Sequence, residues 1–479
     1  MSRRRTVFAL AAGAAMALAS ALAFAPDGVA AVSGVPVRAA AVECSAPGWA
    51  EGNTYTAGTQ VTYAGKLYSA LVTHTAYAGA GWNPAATPSL WRDLGACTGG
   101  PTTPPPTTPP PTTPPPTTPP PTTPPPTTTP PPGGSTCAVK SRPAGKVLVG
   151  YWENWDGASN GVHPGLGWIP INDGRLAQHG YNVINAAFPV IRSDGTVLWE
   201  DGMDASVKVS TPAEMCSAKA AGATLLMSIG GAAAGIDLSS SVVADRFVAT
   251  VVPILKRYNF DGIDIDIETG LTGSGSITTL SASQANLIRI IDGVLAQMPS
   301  NFGLTMAPET AYVTGGSVTY GSIWGSYLPI IKKYADNGRL WWLNMQYYNG
   351  SMYGCAGDSY GAGTVQGFVA QTTCLNNGLV IQGTTIRVPY DKQVPGLPAQ
   401  VGAGGGYMAP ALVTQSWNSF NGNLKGLMTW SANWDGSKSW TFGDNVKRLQ
   451  NRKGFLKVFR VAEVYGFLQG FIHCSVSQR

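Results

Sequence analysis

Acidic and aliphatic residues alternate along residues 260–268, FDGIDIDIE. Asp264, Asp266 and Glu268 alternate with isoleucines. Because successive side chains of a strand point to opposite faces, this spacing predicts a strand with one aliphatic and one acidic face. Carboxylates in one column repel one another, which suits a site that keeps a carboxylic acid protonated near neutral pH. The alternative is a solvated acidic edge strand, although such a strand would usually show mixed polar residues.

The spacing of these acids resembles the Asp-x-x-Asp-x-Asp-x-Glu signature of glycoside hydrolase family 18, the chitinases and their relatives. Its four positions are filled here by Asp261, Asp264, Asp266 and Glu268. Residues 225–231, LLMSIGG, are similar to the family's Ser-x-Gly-Gly strand. Residues 150–155 and 426–431 resemble its first and last strands. The resemblance covers about residues 145 to 450, in the family's order.

The resemblance implies retaining hydrolysis in which the substrate's own 2-acetamido oxygen is the nucleophile, an exception to the usual pair of protein carboxylates. Glu268, nearest the mouth, would protonate the leaving glycosidic oxygen and later deprotonate water. Asp266 would orient the acetamido group, and Asp264 would share a proton with Asp266. Asp261 has the wrong parity for the acidic face, so we expect it to be structural.

The residues expected on the sixth strand differ from the family's Met-x-Tyr-Asp. Gln346 and Asn349 replace Met and Asp, as in the plant hevamine-like branch of the family and its bacterial relatives. Tyr348 keeps the hydroxyl that the resemblance implies for holding the acetamido carbonyl. We expect Gln346 and Asn349 to contact the substrate.

Further candidates for substrate binding are Trp430, Tyr151 and Glu309. Trp430 would form the apolar floor under the cleaved sugar, although a packed structural tryptophan is the alternative. The four histidines do not cluster, and no His/Cys spacing is typical of zinc, so we expect neither a metal nor a cofactor.

Strand-like runs alternate with helical or loop segments along the same part of the chain. Eight runs cover residues 147–149, 182–187, 224–229, 262–267, 303–307, 341–348, 393–397 and 426–430. Residues 241–258 and 282–297 have helical character. This alternation predicts an α/β fold, a (β/α)8 TIM barrel, with its site at the C-terminal strand ends. Four candidates fall at such ends: Glu268, Glu309, Tyr348 and Trp430.

Residues 42–98 contain short strand-like runs between two cysteines and predict a small all-β module. Their aromatic and glycine spacing, GWNP at 81–84 and LW at 90–91 resemble the chitin-binding modules of carbohydrate-binding families 5 and 12. Such modules present aromatic rings to sugar faces. The candidates are Trp82, in a Gly/Pro-rich loop, and then Tyr68 and Trp91. For each ring, a place in the small core is the alternative.

Other segments lie outside these two units. Residues 1–41 combine N-terminal arginines with an apolar run, which predicts a secretory signal and a propeptide-like segment. Residues 99–135 form a Pro/Thr-rich linker that favours polyproline II. Residues 136–450 would be the catalytic domain, and the apolar, basic tail 451–479 is unassigned.

Charged residues make up 12% of the chain, and the net charge is +5. No basic patch is interleaved with aromatics, so we do not expect a nucleic-acid partner. Beyond the N-terminal run, no stretch is apolar enough to span a membrane. Export would favour disulfides between the seven cysteines. The expected pairs are Cys44–Cys97, Cys355–Cys374 and Cys137–Cys216, with Cys474 left over.

The sequence therefore predicts a secreted, monomeric, retaining chitinase that acts on chitin and chito-oligosaccharides. A non-catalytic chitin-binding lectin is one alternative, but such relatives typically lose the acid, and Glu268 is present. An endo-β-N-acetylglucosaminidase acting on N-glycans is another, and the chitin-binding module argues against it. The sequence leaves endo and exo action open.

Overall fold

The structure is a computed structural model. It describes residues 42–451 except 51–52, 57, 72–73, 77–82, 86, 88–89, 99–134, 159–162, 164, 205–206 and 233–234. The expected secretory segment, nearly all of the expected linker and tail, Trp82 and Cys474 lie outside the described residues.

Eight parallel strands form one sheet. They are β1 (Val147–Glu153), β2 (Val183–Ala187), β3 (Thr224–Gly230), β4 (Gly262–Asp266), β5 (Gly303–Met306), β6 (Leu340–Leu343), β7 (Gly396–Pro398) and β8 (Gly426–Trp430). Their order is β6-β5-β4-β3-β2-β1-β8-β7. Parallel bridges from Leu343 to Gln393 and from Gln346 to Gly396 join the two edges. The sheet therefore closes, and the predicted (β/α)8 barrel is confirmed.

Helices separate most of the strands. They are Gly174–Gln178, Pro212–Ala220, Ser241–Arg257, Ala282–Leu295, Leu328–Asp336, Val365–Asn377, Pro410–Asn418, Ala432–Gly436 and Thr441–Asn451. The two predicted helices are confirmed, and both begin at a serine cap: Ser240 accepts from the Val243 amide, and Ser281 forms a capping box with Gln284. Among the described residues, no helix has the length and apolar character to cross a membrane.

Short elements lie in the loops of the barrel. The 3-10 turns are Thr310–Tyr312, Thr314–Ser317 and Tyr390–Lys392. The two-stranded pairs are Val190–Ile191 with Val197–Leu198, Met352–Tyr353 with Ser359–Tyr360, and Leu379–Ile381 with Thr384–Ile386. The sixth strand is shorter than predicted, because regular pairing ends at Leu343 and only isolated bridges follow.

The alternation of side chains separates the barrel into two apolar layers. Val149, Leu226 and Trp342 pack inside the closed sheet. Ile263 and Ile265 of β4 instead pack outward, in the layer between strands and helices. The acidic face of β4 therefore points into the barrel, as the period of two predicts.

Asp261 lies just before β4, at the opposite end of the strand from Glu268. The buried Asp261 carboxylate accepts from the amides of Lys140 (2.7 Å) and Leu225 (2.9 Å). It also lies 2.7 Å from Nζ of the buried Lys219. Burial raises the pKa of Asp261, whereas these partners oppose the rise. These contacts fit the structural role expected for Asp261.

Disulfides join the three expected cysteine pairs, which confirms those predictions. Cys137–Cys216 ties the segment before β1 to helix Pro212–Ala220. Asn259 accepts from the Cys137 amide at 3.2 Å, so this segment is fixed to the barrel by more than the disulfide.

The N-terminal module is built on a four-stranded sheet in the order Val42–Glu43, Trp91–Thr98, Lys66–Ala70 and Gln60–Tyr63. Thr54–Tyr55 pairs with His74–Thr75. The module core contains Tyr55, Val61, Tyr68, Leu90 and Trp91, among other residues.

The structure of the module contradicts the predicted sugar-binding role of two aromatic residues. Tyr68 is 4% exposed and Trp91 is 2% exposed, so neither ring offers a face to a sugar. The prediction that they stack on chitin was wrong. The physical reason is size, because so small a module has few side chains that can fill its core.

Candidate active site

The carboxylate of Asp264 is fully buried inside the barrel and accepts four hydrogen bonds. Tyr151 (2.6 Å) and Ser228 (2.8 Å) donate to Oδ2. Thr305 (2.5 Å) and Asn344 (3.1 Å) donate to Oδ1. Burial raises the pKa of Asp264, and the four donors oppose that rise because they stabilise the ionised form. Burial and the four donors therefore act in opposite directions on the Asp264 carboxyl group.

This geometry bears on two sequence predictions. A carboxylate has about four acceptor positions, and the donors on Asp264 use that capacity. Among the described residues, Asp264 has no hydrogen bond to Asp266, so the expected sharing of a proton between them stays a prediction. Tyr151 is 2% exposed and gives its only proton to Asp264, which leaves it no exposed group for the expected contact with substrate.

Ser228, Thr305 and Asn344 were not predicted as functional residues. Ser228 lies on β3 and Thr305 on β5, and both pair in register with Asp264. Asn344 directly follows β6. A signal was available in the alternation along the strands. Residues that pair in register on parallel strands point to the same face, so Ser228 and Thr305 could have been placed inside the barrel with Asp264.

Gln346 links the two outer carboxyl groups. Its Nε2 lies 3.0 Å from Oδ1 of Asp266 and 2.9 Å from Oε1 of Glu268. A third acceptor, the Ala307 carbonyl, lies at 3.0 Å. An amide nitrogen has two hydrogens, so three acceptors compete for them. The sequence predicted a substrate ligand here, whereas the structure commits the Gln346 amide nitrogen to the protein's own carboxyl groups.

Asp266 and Glu268 are both displaced toward their protonated forms. Burial, then the charges of Glu268 and Asp264, raises the pKa of Asp266 well above its usual value, and the Gln346 hydrogen bond lowers it. Burial raises the pKa of Glu268 to about 7, again opposed by Gln346. The pair therefore retains a proton near neutral pH, with Glu268 partly exposed at the mouth.

Two tyrosines fix the backbone at the end of β4. The Tyr312 hydroxyl donates to the Glu268 carbonyl at 2.6 Å. The Tyr327 hydroxyl donates to the Ile267 carbonyl at 2.8 Å and accepts from the Ile267 amide at 3.0 Å. The acid is thus held on a rigid strand end rather than on a free loop.

Aromatic rings surround the mouth beside the carboxyl groups. Trp430, at the end of β8, stacks on Phe188 with ring centroids 5.8 Å apart. Tyr151 lies 5.6 Å and Trp155 lies 6.2 Å from the Trp430 ring. Trp430 is partly exposed, so it is not simply a packed core residue. Sequence reasoning missed Phe188 and Trp155.

A buried polar cluster lies behind Trp430. Ser431, the next residue, donates to Oε1 of Glu153 at the end of β1. The other carboxylate oxygen of Glu153 lies 2.9 Å from Nε2 of His163, and both side chains are fully buried. The sequence assigned His163 no role. The structure places it beside Glu153, whose carboxylate accepts from Ser431 next to Trp430.

Tyr348 is 6% exposed and lies near the carboxyl groups. Burial, then the charge of Asp266, raises its pKa well above the usual value. Among the described residues, no hydrogen-bond partner of its hydroxyl is found. Glu309, at the end of β5, is partly exposed, and its charge contributes to the raised pKa values of Asp266 and Tyr348. The Asn349 side-chain oxygen accepts from the Gly405 amide at 2.8 Å.

The site therefore combines a partly exposed carboxylic acid, a second carboxyl group and a hydroxyl without a described protein partner, all beside an aromatic surface. A carboxyl group with a pKa near 7 is suited to general acid and base catalysis. Within the described residues, no group of three or more His, Cys, Asp or Glu could hold a metal ion.

Comparison with known proteins identifies both units. Residues 147–337 match the family model "Glycosyl hydrolases family 18", and residues 48–92 match "Carbohydrate-binding module family 5/12". The chain is 82% identical over 312 residues to Endochitinase 4 of Metarhizium robertsii, covering 65% of this chain and 90% of that protein. It is 83% identical over 311 residues to Endochitinase 37 of Trichoderma harzianum, covering 65% and 92%.

A solved structure with the same fold is a family GH18 chitinase from Chromobacterium violaceum. Its TM-score is 0.56 at 28% identity, covering 85% of this chain and 100% of that chain. The relatives at 82% and 83% identity are fungal, so the bacterial label that the resemblance implied for this chain was wrong. The short motif on the sixth strand carried too little information to distinguish these sources.

Replacing Gln346 with Met should move the titration of Glu268 to higher pH. The Gln346 hydrogen bond lowers the pKa of both carboxyl groups, so its loss favours the protonated forms. NMR of 13C-labelled glutamate side chains should show a midpoint near pH 7 in the unmodified protein and a higher one in the variant. Gln297→Met, the same exchange on an exposed helix end, should change nothing. A midpoint that stays or falls in Gln346→Met would contradict the electrostatic account.

Proposed function

Because this chain belongs to glycosyl hydrolase family 18, we propose that it is a chitinase, hydrolysing β-1,4 bonds between N-acetylglucosamine units, with an N-terminal module that binds chitin. The observation that carries this proposal is the Glu268 carboxyl group, which lies two residues beyond β4 at the mouth and has a pKa raised to about 7. It can therefore donate a proton near neutral pH and take one back later.

In the first step, protonated Glu268 donates its proton to the glycosidic oxygen as the bond from that oxygen to C1 breaks. The acetamido oxygen of the same sugar attacks C1 from the opposite face and forms an oxazolinium ion. In the second step, Glu268, now a carboxylate, takes a proton from water, and the water oxygen attacks C1. The ring of the intermediate opens, and two inversions at C1 give retention.

Asp266 is placed to orient the acetamido group. Gln346 holds Oδ1 of Asp266, which leaves Oδ2 to accept the acetamido N–H. The fixed charge of Asp264 lies on the same face of β4 and favours the positive charge that develops on the intermediate. The three acids therefore have different tasks because their partners differ.

Tyr348 and Trp430 complete the sugar site. The Tyr348 hydroxyl has no partner among the described residues and would donate to the acetamido carbonyl oxygen, holding it below C1. Trp430 offers a partly exposed ring as the apolar floor under the sugar. Glu309 lies at the same rim, where it would contact a neighbouring sugar.

We further propose that the protein is exported. The three disulfides of the described residues support this, since disulfides persist mainly in oxidising compartments. The arginine-led apolar run at the N-terminus would be the signal.

Glu268→Gln should abolish hydrolysis while leaving chitin binding nearly intact. The amide keeps the shape of the side chain but cannot donate the proton, and loss of a general acid typically lowers the rate about a hundredfold to ten-thousandfold. Turnover of soluble chitin oligomers and a chitin pull-down would measure the two effects. Glu200→Gln, at an exposed position, is the matched control. A Glu268→Gln variant that keeps more than roughly a tenth of the unmodified rate would contradict the role of Glu268 as the general acid.

The mechanism also predicts that hydrolysis depends on the acetamido group of the substrate. A thiazoline mimic of the oxazolinium ion should inhibit the enzyme, and Asp266→Asn should lower turnover and weaken that inhibition. Product analysis by proton NMR should show the retained anomer first. Efficient cleavage of a β-1,4 oligomer without acetamido groups would indicate a protein nucleophile instead.

Deleting residues 44–98 should lower activity on crystalline chitin by about tenfold and spare activity on soluble oligomers, because tethering raises the local concentration at an insoluble surface. Trp82→Ala, within the full chain, should reproduce much of this loss. Rates on both substrates measure the effect. Equal losses on both would mean that the module belongs to the catalytic unit, and an unchanged chitin pull-down would mean that it binds something else.

A further inference from the structure

No hydrogen bond from the described residues orients the Tyr348 hydroxyl. The Tyr348 residue as a whole is only 6% exposed. Its hydroxyl oxygen is not one of the buried atoms that lack a partner, so it lies on the accessible side of the ring. The direction of the hydroxyl must therefore be set by whatever packs against the ring and fixes its backbone.

The loop after β7 packs against that ring. We call residues 402–406, GAGGG, the glycine loop. Gly404 is buried, and a Cβ placed on it would lie 3.2 Å from Cδ2 of Tyr348. It would also lie 3.2 Å from Oδ1 of Asn349 and 3.2 Å from Cγ of Pro398. A methyl group at Gly404 would therefore force its neighbours to move by a few tenths of an ångström.

Asn349 fastens the glycine loop to the backbone that follows Tyr348. Its amide donates to the Gly405 carbonyl at 2.8 Å, and its Oδ1 accepts from the Gly405 amide at 2.8 Å. Asn349 has φ of +66°, a left-handed conformation that asparagine tolerates better than most residues. The Gly350 amide donates to the Tyr348 carbonyl at 2.8 Å, so the chain turns immediately after the tyrosine.

Both ends of the glycine loop are themselves fixed. A Cβ on Gly402 would lie 3.3 Å from the Trp434 ring. A Cβ on Gly406 would lie 2.5 Å from Cβ of Ala362. Gly402 and Gly406 have φ of +100° and +90°, where side chains are strained. The glycine loop is therefore closely packed at both of its ends as well as against Tyr348.

We propose that the glycine loop and Asn349 set the position of the Tyr348 hydroxyl, so that Gly404 and Asn349 are positioning residues for the hydrolysis. This inference rests on the proposed role of Tyr348. It assigns Asn349 a contact with the protein, in place of the substrate contact that the sequence predicted. It also explains why position 404 has no side chain.

A double-mutant cycle between Gly404→Ala and Tyr348→Phe tests this inference on soluble chitin oligomers. In the unmodified enzyme, loss of the Tyr348 hydroxyl should lower kcat about a hundredfold, as for other positioned donors. Gly404→Ala alone should lower kcat about tenfold with little change in KM, because the misplaced group acts in the transition state. In the Gly404→Ala background, Tyr348→Phe should cost only a few-fold.

Gly405→Ala is the matched methyl insertion. Its Cβ would meet Asn349 atoms at 3.7 Å or more, an ordinary contact. The full penalty for Tyr348→Phe should persist in that background. A loop that only stabilises the fold would give additive effects in both cycles, and additivity with Gly404→Ala overturns the inference.

Asn349→Gly provides an independent route if Gly404→Ala fails to fold. Glycine accepts the +66° φ while the Oδ1 acceptor is lost. A reduced Tyr348→Phe penalty in this background supports the inference, and an unchanged penalty overturns it. Thermal unfolding verifies that each variant is folded. If the unmodified enzyme tolerates Tyr348→Phe, the proposed role of Tyr348 itself fails, whereas additive cycles contradict the positioning alone.

Discussion

The burial of the Asp264 carboxyl group is the constraint on which the site depends. An ionised carboxylate inside a barrel is unfavourable unless donors replace water, and each donor here comes from a different part of the sheet. Tyr151 reaches it from β1, Ser228 from β3, Thr305 from β5 and Asn344 from the end of β6. A slip of one residue in any of these strands would reverse the donor's face. The electrostatics of the site and the register of the barrel therefore depend on each other.

The three acids on the inner face differ in their surroundings. Asp264 is deepest and has four donors, Asp266 has Gln346 and a charged neighbour on each side, and Glu268 is partly exposed. The same chemical group thus has three environments along one inward-facing column. The Gln346 hydrogen bond lowers the pKa of Asp266 and of Glu268, since it stabilises their ionised forms. The pKa near 7 of Glu268 reflects burial, which raises it, and Gln346, which lowers it.

The alternation of residue types and the spacing of the strand-like runs predicted most of the barrel but few of its side-chain contacts. The alternation along residues 260–268 placed the acids on the inner face, and the eight strand-like runs predicted the barrel. Periodicity gives the face of a residue but not its partner, so Tyr151 looked like a ligand when it donates to Asp264. In the module, Tyr68 and Trp91 had the residue type of a sugar platform, but the need to fill a small core determined their place.

The parts of the site that sequence reasoning missed lie mainly in loops, where side-chain type is a weak signal. Phe188 and Trp155 meet Trp430 only because β1, β2 and β8 are neighbours in the closed sheet. Glu153 and His163 support Ser431 from positions that show no pattern along the chain. Strands thus fix the carboxyl groups, while loops fix several of the groups that are proposed to contact the sugar. Sequence pattern is informative for the carboxyl groups because strand geometry repeats along the chain. The positions of the loop groups depend on individual contacts between backbone and aromatic rings, which leave no repeating pattern.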